Sequence, residues 1–377
     1  MSILFYPLLF LLTLLYCAVL IWLIRGLPQL TGGQCRSQPS VSVIIAARNE
    51  EKNIGHCIRA ILEQRYPIDQ YEIIIVDDRS EDRTAEIVKE IMEKHPHVKL
   101  ISIKKSDRSV SPKKYALEQG ISQATGDIIL TTDADCTVQP GWIEALVRHF
   151  SQDVGLVAGY SPLVCQSHPS LFHQLIALDA LALAAVAAGS FGGNDPLTCN
   201  GRNLAYRRSA YDQTGGFHTI CHLVSGDDDL LLHQMKKKTD WKMRYAIEKD
   251  SVVFSIPPQG FKAFFHQRIR HASKGRYYPK MLKMGLVMVY LFNLSLLVLL
   301  FLQLWIMLFA ILGIKSLFEF LLLVHAARIF HQKRSLLYFP LAAILHIPYV
   351  VLFGAWAQFG KFNWKETSHT STMHSGE

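Results

Sequence analysis

Carboxylates recur at three points where a β-branched run gives way to polar residues. Arg48-Asn49-Glu50 follows Val41–Ala46, Asp77-Asp78-Arg79-Ser80 follows Tyr71–Val76, and Thr132-Asp133-Ala134-Asp135 follows Asp127–Leu130. Any one of them alone reads as an ordinary N-cap for the next helix. Three acidic strand ends on one side of one sheet describe a site instead. Asp133 and Asp135 alternate, so both side chains of an extended or turning segment reach one metal ion. Their oxygens suit Mg2+ or Mn2+, hard cations that also take up substrate phosphates. Such a cation neutralises the charge that builds on a leaving diphosphate. No GxxxxGK[ST] segment is present, so metal and basic side chains must hold the phosphates.

The elements that position these residues alternate in kind. Val41–Ala46, Tyr71–Val76, Val98–Ile103 and Asp127–Leu130 read as buried strands. Asn49–Glu63, Thr84–Lys94 and Tyr115–Gln123 between them carry helical spacing. That order predicts an α/β fold with a mostly parallel sheet, whose ligands gather at the carboxyl ends of the strands.

Half of the 377 residues are hydrophobic and the mean hydropathy is +0.18, with the apolar residues concentrated at the two ends. Ile3–Ile24 has no charge and no basic residue before it, which predicts an uncleaved membrane anchor rather than a signal peptide. The reading divides the chain into an anchor (1–26), a catalytic domain (27–283), three membrane helices at about 284–303, 304–326 and 336–359 within 284–360, and a polar tail (361–377). Lys315 and Glu319 stand at i,i+4 within the second of those helices and neutralise each other. Arg328, Lys333 and Arg334 place the following loop, and with it the central domain, in the cytoplasm. Lys361 and Lys365 then fall on the far side, against the rule. Leu171–Phe191 is read as a helix lying on the membrane surface.

The net charge of +8 and pI near 9.0 raise nucleic acid as a partner. The basic residues flank hydrophobic spans or sit in mixed-sign stretches, and no zinc-finger spacing accompanies them. An anionic membrane surface and a diphosphate-bearing substrate account for the excess, without nucleic acid. Seven cysteines with no CxxC pair fit reduced thiols in a cytosolic domain.

Five motifs then occur in order: Ala46-Ala-Arg-Asn-Glu50, Val76-Asp-Asp-Arg-Ser-Glu-Asp-Arg-Thr84, Thr132-Asp-Ala-Asp135, Gly226-Asp-Asp-Asp-Leu230 and Gln267-Arg-Ile-Arg-His271. The succession, covering roughly Val41 to Gly275, resembles the family 2 glycosyltransferases of GT-A fold. It is most similar to the membrane-bound branch that includes cellulose, chitin and hyaluronan synthases and ceramide glucosyltransferases. The resemblance implies that Glu50, Asp77 and Asp78 contact the nucleoside and that Lys113 lies near the donor phosphates. It implies that Asp133 and Asp135 form the metal-binding DxD. The Gly226–Leu230 segment would supply the general base, Asp227 when the downstream leucines are aligned, with Asp228 its rival. Neighbouring carboxylates would raise the pKa of that base. Asp229 also reads as part of an acidic helix start.

Gln267, Arg268 and Arg270 match the QRxRW motif, arginine being suited to bidentate phosphate contact; a basic interfacial helix is their other reading. His271 stands where the family has tryptophan, an acceptor-stacking platform in its processive members. Cys199–Tyr206 falls where the family forms part of its acceptor pocket, although a tight turn explains Asn200-Gly201 equally well. The resemblance thus implies inverting, metal-dependent transfer from a nucleotide-sugar, a UDP-sugar, to a lipid or saccharide acceptor at a bacterial-type inner membrane. The alternatives are a processive polysaccharide synthase and an inactive membrane scaffold, the latter opposed by the intact acidic motifs.

Overall fold

The two runs that precede the first acidic segments are almost wholly buried, which is what a strand covered on both faces requires. The computed structural model describes residues 2–105, 110–165, 169–223, 225–359, 361–364 and 367–370. In chain order the helices are α1 (Ser2–Gly26), α2 (Ile54–Leu62), α3 (Thr84–Met92), α4 (Pro112–Gln123), α5 (Trp142–Val147), α6 (Leu171–Gly192), α7 (Arg208–Thr214), α8 (Asp229–Lys238), α9 (Gly260–Ser273), α10 (Lys280–Phe301), α11 (Trp305–Ile329) and α12 (Phe339–Phe359). The strands are β1 (Val41–Ala47), β2 (Tyr71–Asp78), β3 (Val98–Ile103), β4 (Ile128–Asp133), β5 (Cys136–Val138), β6 (Val154–Gly159), β7 (Leu204–Arg207), β8 (Lys242–Ala246), β9 (Val253–Ser255), β10 (Lys361–Trp364) and β11 (Thr367–Thr370).

Two units divide the chain. The α/β unit comprises Gly26–Gln166 and Val186–Ile256. Its seven-stranded sheet runs β3-β2-β1-β4-β7-β6-β8. All pairs are parallel except those made by β7, which is antiparallel to β4 and β6. The expected α/β architecture with a mostly parallel sheet is therefore present. Register decides where the acids stand. Ala46 of β1 lies opposite Asp133 of β4, and Ala47 lies opposite Asp77 of β2, so both carboxylates occupy the same edge of the sheet. Ile45, Ile75, Leu130 and Trp142 belong to the fully buried core beneath them.

Three boundaries near the site differ from the sequence reading. Strand β2 continues to Asp78, and β4 to Asp133, so acidic residues end these strands rather than follow them. Helix α2 begins at Ile54, not Asn49, because Asn49 adopts a left-handed φ of 53° and the Glu50 carbonyl closes a turn with the amides of Asn53 and Ile54.

The helical unit comprises Met1–Arg25, Ser167–Ala185 and Pro257–Glu377. The long apolar run after Met284 breaks between α10 and α11, where Gln303 takes φ 57°. Lys315 is fully buried and bonds both carboxylate oxygens of Glu319, at 2.7 and 2.8 Å. The Tyr16 hydroxyl donates to the same carboxylate at 2.5 Å, so the pair also ties α1 to α11. Among the described residues, five helical stretches are long and apolar enough to cross a membrane: Phe5–Gln29, Leu171–Gly192, Lys280–Phe301, Trp305–Ile329 and Lys333–Trp356. The second is 61% buried within the protein, against 11–33% for the other four. The tail begins with an antiparallel pair, β10 with β11. Lys365 and residues 371–377 lie outside the described residues.

Candidate active site

Left-handed residues end the turns after both leading strands, Asn49 after β1 and Arg79 (φ 57°) after β2. The two turns brace each other. The Asn49 amide donates to Ser80 Oγ at 3.0 Å, and the Glu81 amide returns a bond to Asn49 Oδ1 at 2.9 Å. The Glu50 amide donates to Thr84 Oγ1 at 2.8 Å, and Glu51 and Asp82 exchange further bonds with these loops. The carboxylate of Glu50 accepts from Asn53 at 2.9 Å. Asp77 accepts from the Ser80 amide and Asp78 pairs with Arg79 at 2.8 Å, both acids being buried.

Lys113, one residue into α4, crosses from this loop system to the centre of the sheet edge. Its ammonium lies 2.9 Å from Asp133 and 2.8 Å from Asp227. Burial opposes its charge, but the two carboxylates override that and hold the lysine protonated well above its usual range. Asp135 stands two residues beyond Asp133. Burial first, then the Asp133 charge, push its carboxyl up to about 6, against the pull of Arg202. Below them the thiols of Cys57 and Cys136 are pushed up by burial and by these same acids, and stay protonated.

The acidic triplet resolves into three different environments. Asp227 faces Lys113, a partner of opposite charge rather than the like-charged neighbours expected from sequence. Asp228 is the N-cap of α8: one oxygen accepts from the Asp229 amide at 2.7 Å, the other from the Gly201 amide at 3.3 Å. Asp229 is buried and accepts from Thr198 Oγ1 and the Cys199 amide at 2.8 and 2.9 Å, pinning the Cys199–Tyr206 segment. Gly201 of that segment passes so close that a Cβ there would lie 2.9 Å from Asp227 Oδ2.

Lys113, Asp133 and Asp227 are thus in direct contact, with Asp135 beside them. Asp77 and Asp78 end the neighbouring strand β2, and Glu50 stands in the turn after β1. Gln267, Arg268 and Arg270 belong to α9 of the helical unit. There Arg268 is buried, ion-paired with Asp179 of α6, and lies over the Phe264 ring at 4.9 Å. Sequence reasoning gave Arg202 and Lys114 no role of their own. Lys114 and Lys113 carried a signal in being adjacent cations in the first turn of a helix, where the dipole disfavours them. Among the described residues no group of three or more His, Cys, Asp or Glu side chains is arranged to hold a metal by itself.

Residues 42–215 match the family described as Glycosyl transferase family 2. The chain carries a family 2 glycosyltransferase domain. The matched region contains the first three acidic segments and Lys113 and ends before Asp227. A probable glycosyltransferase of Bacillus subtilis, YdaM, is 30% identical over 244 residues, 63% of this chain and 56% of that protein. A beta-monoglucosyldiacylglycerol synthase of Synechocystis sp. is 28% identical over 256 residues, 66% of this chain and 50% of that protein. The chain spans about half the length of these curated relatives. Among solved structures, the mannosyltransferase PcManGT from Pyrobaculum calidifontis, in complex with GDP-Man and Mn2+, aligns over 94% of this chain and 96% of its own. The TM-score is 0.56 at 20% identity, a likeness of fold. The family 2 domain therefore has the GT-A type of sheet.

Proposed function

We propose that this protein transfers a sugar, with inversion, from a UDP-sugar to a lipid acceptor at the membrane surface, using a divalent cation. The observation that carries the reading is the Lys113 ammonium between Asp133 and Asp227, one a proposed metal ligand and the other the proposed base.

The donor set fits a hard cation. Asp133 and Asp135 are two crowded carboxylates, and burial first, then the Asp133 charge, push the Asp135 carboxyl up to about 6. Two protein oxygens suffice, because Mg2+ keeps waters and substrate phosphates as its other ligands. When bound, the cation supplies charge neutralisation to the departing diphosphate. Lys113 is within reach of the same phosphates, and its transfer to them frees the Asp227 carboxylate. Asp227 then accepts the acceptor hydroxyl's proton as that oxygen bonds to the anomeric carbon. The bond from that carbon to the diphosphate oxygen breaks, and its electron pair leaves with the diphosphate. Glu50, Asp77 and Asp78 hold the nucleoside.

A lipid acceptor is supported by the apolar helices and by the relative named beta-monoglucosyldiacylglycerol synthase. His271, in place of a stacking tryptophan, speaks against long-chain synthesis. We place the α/β unit on the cytoplasmic side of a bacterial-type inner membrane, from Arg328, Lys333 and Arg334, with Leu171–Gly192 as the interfacial helix. The test is a screen of UDP-glucose, UDP-galactose, UDP-N-acetylglucosamine and GDP-mannose on the protein in diacylglycerol-containing vesicles with Mn2+, with mass analysis of the lipids. A glycolipid product supports the reading, and donor consumption confined to soluble or polymeric products refutes the lipid acceptor.

A further inference from the structure

Lys114 is 1% exposed, yet its charge is turned away from the site that Lys113 serves. Its ammonium donates to the carbonyl of Leu223 at 2.5 Å and to that of Ser225 at 2.7 Å. The Ser111 amide, just before α4, donates to the Cys221 carbonyl at 2.6 Å. With Lys113 on Asp227, the start of α4 grips positions 221, 223, 225 and 227, every second residue of the chain that leads into α8.

We propose that Lys114 is a positioning residue that sets where the Asp227 carboxylate stands. The inference rests on the reading of Asp227 as the base. A buried cation at a helix N-terminus is opposed both by desolvation and by the helix dipole, so packing alone favours an apolar side chain there. What the ammonium supplies is a clamp with two carbonyl partners. On the other side of Asp227, the caps made by Asp228 and Asp229 fix the first turn of α8. Between clamp and base lies Gly226 at φ 93°, a backbone state that lets the chain turn between its two anchors. Asp227 is therefore suspended between two fixed points, and Lys114 is one of them. Lys113 would touch the substrate; Lys114 acts only through the loop.

The experiment uses the full chain in lipid, with whichever donor of the screen above is turned over. In Lys114→Met the clamp is lost while the stem is retained. Turnover is expected to fall about tenfold or more, with donor KM within about threefold of wild type. In the Asp227→Asn background, Lys114→Met should add nothing, because the place of a group that no longer takes a proton is immaterial. Wild-type turnover in Lys114→Met, or a loss that adds fully to that of Asp227→Asn, overturns the proposal. If Asp227→Asn is slow while Lys114→Met is normal, only the positioning role fails. If Asp227→Asn is itself normal, the base assignment fails and the positioning role with it. Should Lys114→Met lose its cooperative melt, Lys114→Gln, which keeps N–H donors without the charge, is measured in the same way. It is expected to show the same turnover-specific loss, and loss of fold in both variants assigns the lysine to stability alone and overturns the proposal.

Discussion

The ammonium of Lys113 and the carboxylate of Asp227 meet at 2.8 Å, joining the first turn of α4 to the residue before the α8 cap. The contact separates Asp227 from Asp228, which the order of residues alone leaves equivalent. Asp228 faces the α8 amides and Gly201, and Asp229 faces Thr198 and Cys199.

Asp227→Asn keeps the size of the side chain and removes its basicity. Turnover at saturating donor should fall by about 10²–10⁴-fold, with donor affinity near wild type. Asp228→Asn should keep most of its turnover and lose less than about 1 kcal/mol of stability, since asparagine caps a helix nearly as well as aspartate. Parallel kinetics and melts on the two variants decide the matter, and a dead Asp228→Asn beside an active Asp227→Asn reverses the assignment.

Asp135→Ala should abolish transfer and Mn2+-dependent binding of UDP, while the protein keeps its melting transition. Titration calorimetry of UDP with and without Mn2+ reads the loss directly. Full activity of the wild-type protein after exhaustive chelation is the result that would remove the DxD assignment.

Gly201→Ala places a Cβ 2.9 Å from Asp227 Oδ2, 3.5 Å from Asp228 Cβ and 3.7 Å from Lys113 Nζ. The nearest atom is the end of a side chain, so folding is little affected and the carboxylate is what moves. Relief of the contact needs a shift of roughly half an ångström, and a reacting group misplaced by about 1 Å loses about 10²-fold in rate. The expected variant melts like wild type and turns over far more slowly, and a normal rate would show that the carboxylate has slack.

Glu72 offers a test of the sheet. Its carboxylate accepts from Ser42 Oγ (2.6 Å), the Thr125 amide (2.6 Å), Thr125 Oγ1 (2.8 Å) and Lys99 Nζ (2.6 Å), tying β1, β2 and β3 to the turn before β4. Burial alone would raise its pKa; the bonds from Lys99, Ser42 and Thr125 outweigh that and lower it to about 2, from 4.5. A depressed folded-state value stabilises the fold fully above the unfolded value near 4.5, and the contribution disappears as pH falls toward 2. Glu72→Gln should destabilise by about 1–3 kcal/mol at neutral pH, with the gap in melting temperature closing between pH 5 and 2. A gap that is constant with pH would rule out the carboxylate charge as its source.

The strands β1 to β4 are legible in the sequence because each is a short β-branched run bounded by polar residues, and burial on both faces requires such runs. The other half of the sheet was not read. Strand β7 has four residues, too short a run to stand out, and β8, Lys-Met-Arg-Tyr-Ala, is half exposed at the sheet edge and carries no apolar run. Both find their place by pairing with β6, a contact distant in sequence.

For the site, the acidic segments and their place at strand ends followed from the sequence alone, since strand polarity and alternating chain order put them on one edge. Only the tertiary structure decided which side chains meet. Successive helical residues point about 100° apart, so Lys113 reaches the carboxylates and Lys114 the carbonyls for no reason visible in their shared residue type. Likewise Arg268, one residue from Gln267, turns to Asp179. The placement of residues 225–229 settles which aspartate faces Lys113, because it is held by contacts with α4 and with the Thr198–Gly201 segment, and local sequence pattern does not encode contacts between segments so far apart in the chain.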